Sequence, residues 1–160
     1  MHKLIELIND LESRIQEAEL INETVSGSSV GWHIEHALLS INFIIDELKN
    51  SNPEDYIRNF SLPRILVFTM NKIPRGRGKA PEIVQPKNNI TADALKKQLK
   101  TASGKIKELE FLKPENYIKH PYFGDLNLKL TKKFLLIHTR HHIDIIKDII
   151  KTKKQVISDK

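Results

Sequence analysis

The stretch F-L-L-I-H-T-R-H-H-I-D-I-I, residues 134–146, decides the fold that we expect for this chain. At about 100° of rotation per residue, most apolar residues of this stretch and of the next four positions fall on one broad arc of a helix, and charged residues fall on the opposite arc. The apolar arc holds Phe134, Leu135, Ile143, Ile145, Ile146, Ile149 and Ile150, and the charged arc holds Lys133, Arg140, Asp144, Asp148 and Lys151. This pattern predicts an amphipathic helix that packs against a core.

Three histidines lie on this predicted helix. His138 and His142 fall inside the apolar arc, one helical turn apart, so both rings project from the same face. His141 lies at the edge of the arc. An imidazole without a partner is costly to bury, and two imidazoles on one helical turn have the spacing of two metal ligands. A metal ion is therefore the shared partner that we expect.

Composition narrows the possible functions. The chain has 160 residues, a net charge of +6 and no cysteine. Its length suits a single domain, residues 1–160, with a core of its own. The absence of cysteine excludes disulfides, thiolate metal sites and cysteine nucleophiles, so any metal must have nitrogen or oxygen ligands. The positive charge would attract an anionic partner, but the lysines and arginines are scattered, apart from the loop at residues 73–89 and the outer face of the helix at about residues 91–109. That face lacks interleaved aromatic residues, so we expect no nucleic-acid binding.

The sequence gives no sign of membrane insertion. The first residues include acidic side chains and no long apolar run, which does not fit a signal peptide. No stretch approaches the ~20 apolar residues of a membrane span. We therefore expect no membrane partner and a cytoplasmic location.

Four further segments show helical periodicity. The first covers about residues 3–21, the second is apolar around most of its circumference over about residues 30–49, the third is a short apolar helix that opens at Leu62-Pro63, and the fourth runs from a Thr91 N-cap to about Leu109. Residues 113–128 are expected to be irregular, without a convincing strand. Together with the last helix, these segments predict an all-α protein, a four-helix bundle with an additional short helix and long loops.

The second helix carries two more histidines, His33 and His36. They are three residues apart, and periodicity does not say which one points inward. A lone histidine on an apolar face is more often a hydrogen-bonded core residue than a ligand, but a second histidine cluster in the same core favours a ligand. One imidazole from this helix and two from the last helix can meet in the core of a bundle, which leaves a fourth position open on a zinc-like ion.

Two connecting segments allow more than one interpretation. Residues 73–89 are rich in proline, glycine and basic residues, which suits either a lid or anion-attracting lip beside the site or a plain solvated loop. The turn H-P-Y-F-G, residues 120–124, either folds over the mouth of the bundle or plugs its end. The role of His120 stays open.

These motifs together resemble a known family. S-V-G-W-H-I-E-H-A at residues 29–37, a long basic and proline-rich loop, H-P-Y-F-G-D-L at residues 120–126 and H-T-R-H-H-I-D at residues 138–144 are similar, in this order, to the DinB/YfiT-like superfamily of metal-dependent enzymes. The likeness is greatest to a branch whose domain has no assigned function. It covers nearly the whole chain.

The resemblance implies a four-helix bundle that binds a divalent transition metal, usually zinc or nickel, through His36, His138 and His142. His33 and His141 would then lie behind the ligands or on the surface. The chain departs from many relatives after the last histidine, where Ile143-Asp144-Ile145 stands in place of R-G-Q.

The activity that the resemblance implies is a thiol-dependent S-transferase, or a hydrolase that uses the same centre. The substrate would be a small molecule, with a low-molecular-weight thiol as one reactant, and the chain could pair as a homodimer. Glu47 and Tyr122 are candidates for handling protons. The alternative is a non-enzymatic helical binding module with a structural metal or none.

Overall fold

The computed structural model describes residues 2–76, 80–87 and 90–158, with side chains described up to residue 152. In these ranges the chain forms five α-helices and one β-hairpin. The order is α1 (His2–Glu12), α2 (Val30–Asn50), α3 (Leu62–Met70), α4 (Ala92–Glu108), β1 (Tyr117–His120), β2 (Gly124–Asn127) and α5 (Leu128–Ser158). Three short 3-10 helices, Ile15–Glu17, Pro53–Asp55 and Glu82–Val84, lie in the connections.

One hydrophobic core holds the helices together. Helix α2 packs against α4 and α5, and α1 also packs against α4 and α5. All four helices contribute fully buried side chains to this core, among them Ile8, Ile34, Leu95 and Leu135. The burial of apolar area stabilises such an arrangement, at roughly 25 cal/mol per Å². None of the helices in the described ranges has the length and hydropathy that crossing a bilayer requires.

The first helix is shorter than its apolar periodicity predicts. Leu4, Ile8, Leu11 and Ile15 are all buried as expected, but α1 ends at Glu12 instead of near residue 21. The backbone then tightens into the 3-10 helix, and the Ala18 carbonyl accepts a hydrogen bond from Gly31 N–H, at 2.8 Å. The segment after α1 therefore contacts the start of α2, and the hydrogen bond between Ala18 and Gly31 takes the place of a further hydrogen bond within α1.

The all-α prediction is only approximate, because the segment expected to be irregular contains an antiparallel hairpin. Tyr117 pairs with Asn127 and His120 pairs with Gly124. The strands have four residues each, too short for alternation of apolar and polar residues to be visible in the sequence. The last helix begins directly after the hairpin, at Leu128. The structure is thus mostly helical, with a small sheet.

Arg64 on α3 holds the hairpin in place. Its guanidinium donates hydrogen bonds to the Phe123 and Asp125 carbonyls and to the Asn59 side chain, at 2.9–3.3 Å. Gly124 follows Phe123 with φ +69°, a conformation that L side chains rarely adopt. A Cβ atom at Gly124 would come within 2.5 Å of the Asn59 side chain.

We expect Gly124→Ala and Gly104→Ala to change stability in opposite directions. Gly124→Ala should lower the free energy of unfolding by about 1–3 kcal/mol, because it strains the backbone and displaces Asn59. Gly104 lies inside α4 with nothing within 4 Å of its missing Cβ, so Gly104→Ala should raise the free energy by about 0.5–1 kcal/mol. Urea titrations of both variants measure the difference. Equal stability of the two would contradict the described turn.

Candidate metal centre

Three imidazoles from two helices meet at one point. His36 on α2 and His138 and His142 on α5 each offer one ring nitrogen, and these three nitrogens lie within 4.8 Å of one another. The ring centroids are 4.6–5.2 Å apart. The side chains predicted to converge therefore do so, and they lie close enough to bind one metal ion. No carboxylate joins this cluster among the residues that the structure describes.

The separation of one pair of the three nitrogens fits a tetrahedral ion. Nε2 of His138 and Nε2 of His142 are 3.3 Å apart. Two nitrogens that each bind such an ion at ~2.0–2.1 Å lie about 3.3 Å from each other. The distance is longer than the ~2.7–3.2 Å of ordinary hydrogen bonds. The donor set thus fits zinc or another ion that imidazole suits.

Backbone and aromatic contacts fix the orientation of His36. Its Nδ1 lies 2.8 Å from the Val84 carbonyl oxygen. Because a carbonyl only accepts, Nδ1–H must donate, and Nε2 is left with a free lone pair. The Trp32 ring stacks on the imidazole, with centroids 5.0 Å apart and planes 16° apart. His36 is thereby held as the tautomer in which Nε2 can bind a metal.

His142 is oriented by a chain of two further side chains. Its Nδ1 lies 3.0 Å from Nδ1 of His33, and Nε2 of His33 lies 2.9 Å from Ser26 Oγ. A neutral His142 that binds a metal through Nε2 carries its hydrogen on Nδ1 and donates to His33. His33 then carries its own hydrogen on Nε2 and donates to Ser26. One set of tautomers satisfies the whole chain, so His33 lies directly behind a candidate ligand.

His138 lacks such support within the described part of the chain. Its Nδ1 is buried and has no hydrogen-bond partner there. The Phe134 ring lies on one side of it, with centroids 5.4 Å apart. Two of the three candidate ligands are therefore held by a hydrogen bond to their second nitrogen, and the third is held by packing.

Burial keeps these imidazoles neutral. Loss of hydration lowers the pKa of His138 and His142 well below the usual value, and nearby imidazoles lower it further. Loss of hydration also lowers the pKa of His36, although the hydrogen bond from its ring to the Val84 carbonyl raises the pKa. Burial lowers the pKa of His33 to about 4. The neutral ring is the form that binds metal ions, so the site is ready for one near neutral pH.

The three imidazoles form part of the wall of a cavity of about 570 Å³. Its other walls are largely apolar and come from α2, the segment after α3, the hairpin and α5. Trp32, Phe43, Phe123, Phe134 and Ile145 are among them. This volume lies within the ~300–1,000 Å³ of small-molecule sites. Residues 120–123 of the hairpin turn line the same cavity, which is compatible with both predicted positions of the turn.

The other residues of interest are spread along the cavity. His120, Tyr122, His141 and Glu47 all line it, but none belongs to the three-nitrogen cluster. Nδ1 of His120 accepts the Tyr122 N–H at 3.2 Å, and burial lowers the pKa of His120 to about 4. Glu47 is exposed and lies eleven residues after His36 on α2, about 16 Å along the helix. Their predicted catalytic roles stay predictions.

Sequence reasoning missed the groups that orient the ligands. Any residue type could supply the Val84 carbonyl, so no pattern could reveal it. Val84 belongs to the segment at residues 73–89, of which 77–79 and 88–89 lie outside the described residues. Neither the lid nor the solvated-loop interpretation of this segment included a contact with a histidine. Trp32 and His36 are four residues apart on one helix. Because this spacing brings side chains together, their contact could have been predicted from the sequence.

Comparison of the chain with family models, with curated proteins and with solved structures finds no match in any of the three. The resemblance to the DinB/YfiT-like superfamily therefore rests on the sequence motifs alone. It stays a prediction.

We expect the metal-free protein to lose stability as the pH falls from about 6.5 to 4. The pKa values of His33 and His120 are lowered to about 4, so the unfolded chain takes up protons at these rings before the folded one does. Stability is thus fully present above pH 6.5. Each of these two rings should lower the free energy of unfolding at pH 5 by about 2 kcal/mol relative to its value at high pH. Urea titrations at pH 7 and pH 5 with a chelator measure the loss.

His120→Phe is the matched variant for this test, because it keeps an aromatic ring beside Phe123 and cannot titrate. It should reduce the loss between pH 7 and pH 5 by about 2 kcal/mol. Equal stability of the parent protein at both pH values would contradict the burial of these neutral imidazoles.

We also expect His33 to control metal affinity without touching the ion. His33→Leu removes the acceptor for His142 Nδ1–H and should weaken zinc binding about 10–100-fold. His33→Asn places an amide oxygen near the same point and should stay closer to the parent protein. Competition with a chromophoric chelator gives both dissociation constants. Unchanged affinity in His33→Leu would show that the contact does not support the ligand.

Proposed function

We propose that this protein is a metal-dependent enzyme of the DinB-like type, either a thiol-dependent S-transferase or a hydrolase. In this proposal α1, α2, α4 and α5 form the four-helix bundle of that superfamily, and His36, His138 and His142 hold a zinc or nickel ion. The observation that carries the proposal is the position of the three nitrogens, within 4.8 Å of one another at the wall of a 570 Å³ cavity.

The open side of the cluster favours an enzyme over a structural metal site. Structural zinc sites are closed by four protein ligands, whereas catalytic sites have three and keep a fourth position for a reactant. The part of the chain that the structure describes supplies three nitrogens and no carboxylate at this point. The fourth direction is then available to a molecule in the cavity.

The chain's own residues define what the site would do. A divalent ion held by three neutral imidazoles would supply positive charge that lowers the pKa of a thiol or of water in the cavity. The bonds of His36 to Val84 and of His142 to His33 would keep two ligands in place. The aromatic walls would exclude bulk water and hold an apolar group of the substrate.

Tyr122 and Glu47 are the proposed proton-handling groups. Both line the cavity, and Tyr122 belongs to the hairpin turn. The position of Glu47 far along α2 suits contact with a part of the substrate that is distant from the ion. A low-molecular-weight thiol is the proposed co-substrate of the transferase version.

The decisive experiment combines metal content with activity. We expect about one transition-metal ion per chain in protein purified without a histidine tag. His142→Ala should lower metal content at least tenfold and abolish activity in screens for thiol conjugation and for ester hydrolysis. His141→Ala is the matched control, because His141 is the neighbouring imidazole outside the cluster and should retain the ion.

Two outcomes would overturn this proposal. Protein that lacks metal and fails to bind it on reconstitution with zinc or nickel cannot be an enzyme of this type. Metal that remains bound in His142→Ala would place the ion elsewhere. In either case the chain would be better described as a helical binding module.

A further inference from the structure

Helix α3 turns its apolar residues outward. Leu62, Ile65, Leu66 and Met70 fall within about 140° of its circumference, at 100° per residue. They are between 45% and 66% exposed, and Phe60, just before the helix, is 76% exposed. We call these five residues the α3 apolar surface. Its area is on the order of 500 Å², near the upper end of what monomeric proteins expose.

The orientation of α3 is fixed from the other side. Arg64 points toward the hairpin and donates to the Phe123 and Asp125 carbonyls, and Val67 and Phe68 are buried. The only charged residue of the helix therefore faces inward, where it is hydrogen-bonded, and the apolar residues face out. A helix packed only to minimise exposed apolar area would do the reverse. The outward surface is thus a feature of the fold, which implies something that covers it.

The charge around this helix identifies that partner. Residues 56–81 contain no acidic residue. Of their six basic residues, Arg64 faces inward, Arg75 pairs with Asp148 at 2.8 Å, and Arg77 and Lys79 lie outside the described residues, which leaves Arg58 and Lys72 to meet a partner. Arg58 and Lys72 flank α3 and are exposed. Lys133 of α5 lies beside the helix, with Nζ 5.8 Å from the Phe68 ring centroid. An apolar stripe bordered by cations is complementary to an anionic lipid surface, where the stripe enters the boundary of the acyl chains and the cations meet the headgroups.

We propose that α3 docks this protein on anionic membrane surfaces. A second copy of the chain is a poorer occupant, because pairing two α3 surfaces would bring Arg58 and Lys72 of one copy near the same cations of the other. This proposal replaces the expectation of no membrane partner, which rested on the lack of a membrane span in the sequence, because docking of this kind needs no spanning helix. The proposal goes beyond the metal-dependent function and does not require the ion.

The α3 apolar surface also borders the cavity. Ser61 Oγ, at the start of α3, donates to the Tyr122 carbonyl at 3.3 Å. Tyr122 is 53% exposed and lines the cavity, as do Ile73 and Pro74 just after the helix. A protein docked through α3 would therefore hold the hairpin turn, which lines the cavity, close to the lipid surface.

The test is co-sedimentation with vesicles, in the presence of a chelator and after reconstitution with zinc. We expect at least tenfold more binding to phosphatidylcholine vesicles with about 30% phosphatidylserine than to phosphatidylcholine alone. Leu66→Gln with Met70→Gln should lower that binding at least tenfold, because two inserted apolar side chains are lost. Lys72→Glu should lower it as well, and more strongly at low salt.

Phe111→Gln is the matched control, because Phe111 is 86% exposed but lies after α4, outside the α3 apolar surface. It should bind vesicles like the parent protein. Circular dichroism melting of all variants confirms that surface substitutions leave the fold intact.

Three results would overturn the proposal. Equal binding to both kinds of vesicle, or none, removes the lipid partner. Full binding by the Leu66→Gln and Met70→Gln variant removes α3 as the docking element. A dimer in light scattering that the same variant converts to monomer would show that a second copy covers this surface. Since the metal-free protein is tested too, failure here is distinct from failure of the metal site.

Discussion

The removal of four imidazoles from water is the constraint on which the candidate site depends. Helices α2 and α5 pack so closely that His33, His36 and His142 are buried and His138 is half-buried. A buried imidazole cannot carry its charge without a large cost, so each ring is neutral and needs a partner for its N–H and its lone pair. Val84 and Ser26 satisfy part of this need. Three lone pairs directed to one point satisfy the rest if a cation is present.

This constraint links the site to folding. The unfolded chain does not hold three imidazoles together, so an ion that binds the folded form stabilises it by mass action. The buried Nδ1 of His138 has no partner among the described residues, and this is a cost that the apolar core must offset whether or not an ion is bound. The same cluster would therefore serve both stability and chemistry, and the burial that lowers the pKa values is the physical reason for both.

Helical periodicity predicted those helices whose buried face follows from the spacing of their own apolar side chains. The apolar arcs of residues 134–150 and of α4 are buried as expected, and Thr91 caps α4 by accepting the Ala94 N–H. Periodicity could not find the hairpin at Tyr117–His120 and Gly124–Asn127, because its pairing depends on a left-handed Gly124 and on Arg64, sixty residues away. It also could not choose between His33 and His36, since both lie on a helix that is buried nearly all round. That choice depends on the position of the Val84 carbonyl, which belongs to a segment without periodicity.

Helix α3 shows how a local pattern can mislead about burial. Its sequence L-P-R-I-L-V-F-T-M is almost wholly apolar, which suggests a buried helix, and its single arginine suggests an outer face. The structure has the opposite arrangement because Arg64 satisfies four nearby acceptors in the hairpin and the Asn59 turn, which offsets the cost of desolvating its charge. Rotating the helix to bury Leu66 and Met70 would break these bonds and release the hairpin that lines the cavity. The exposed apolar face is therefore tied to the shape of the cavity, because the same helix holds one part of the cavity wall in place.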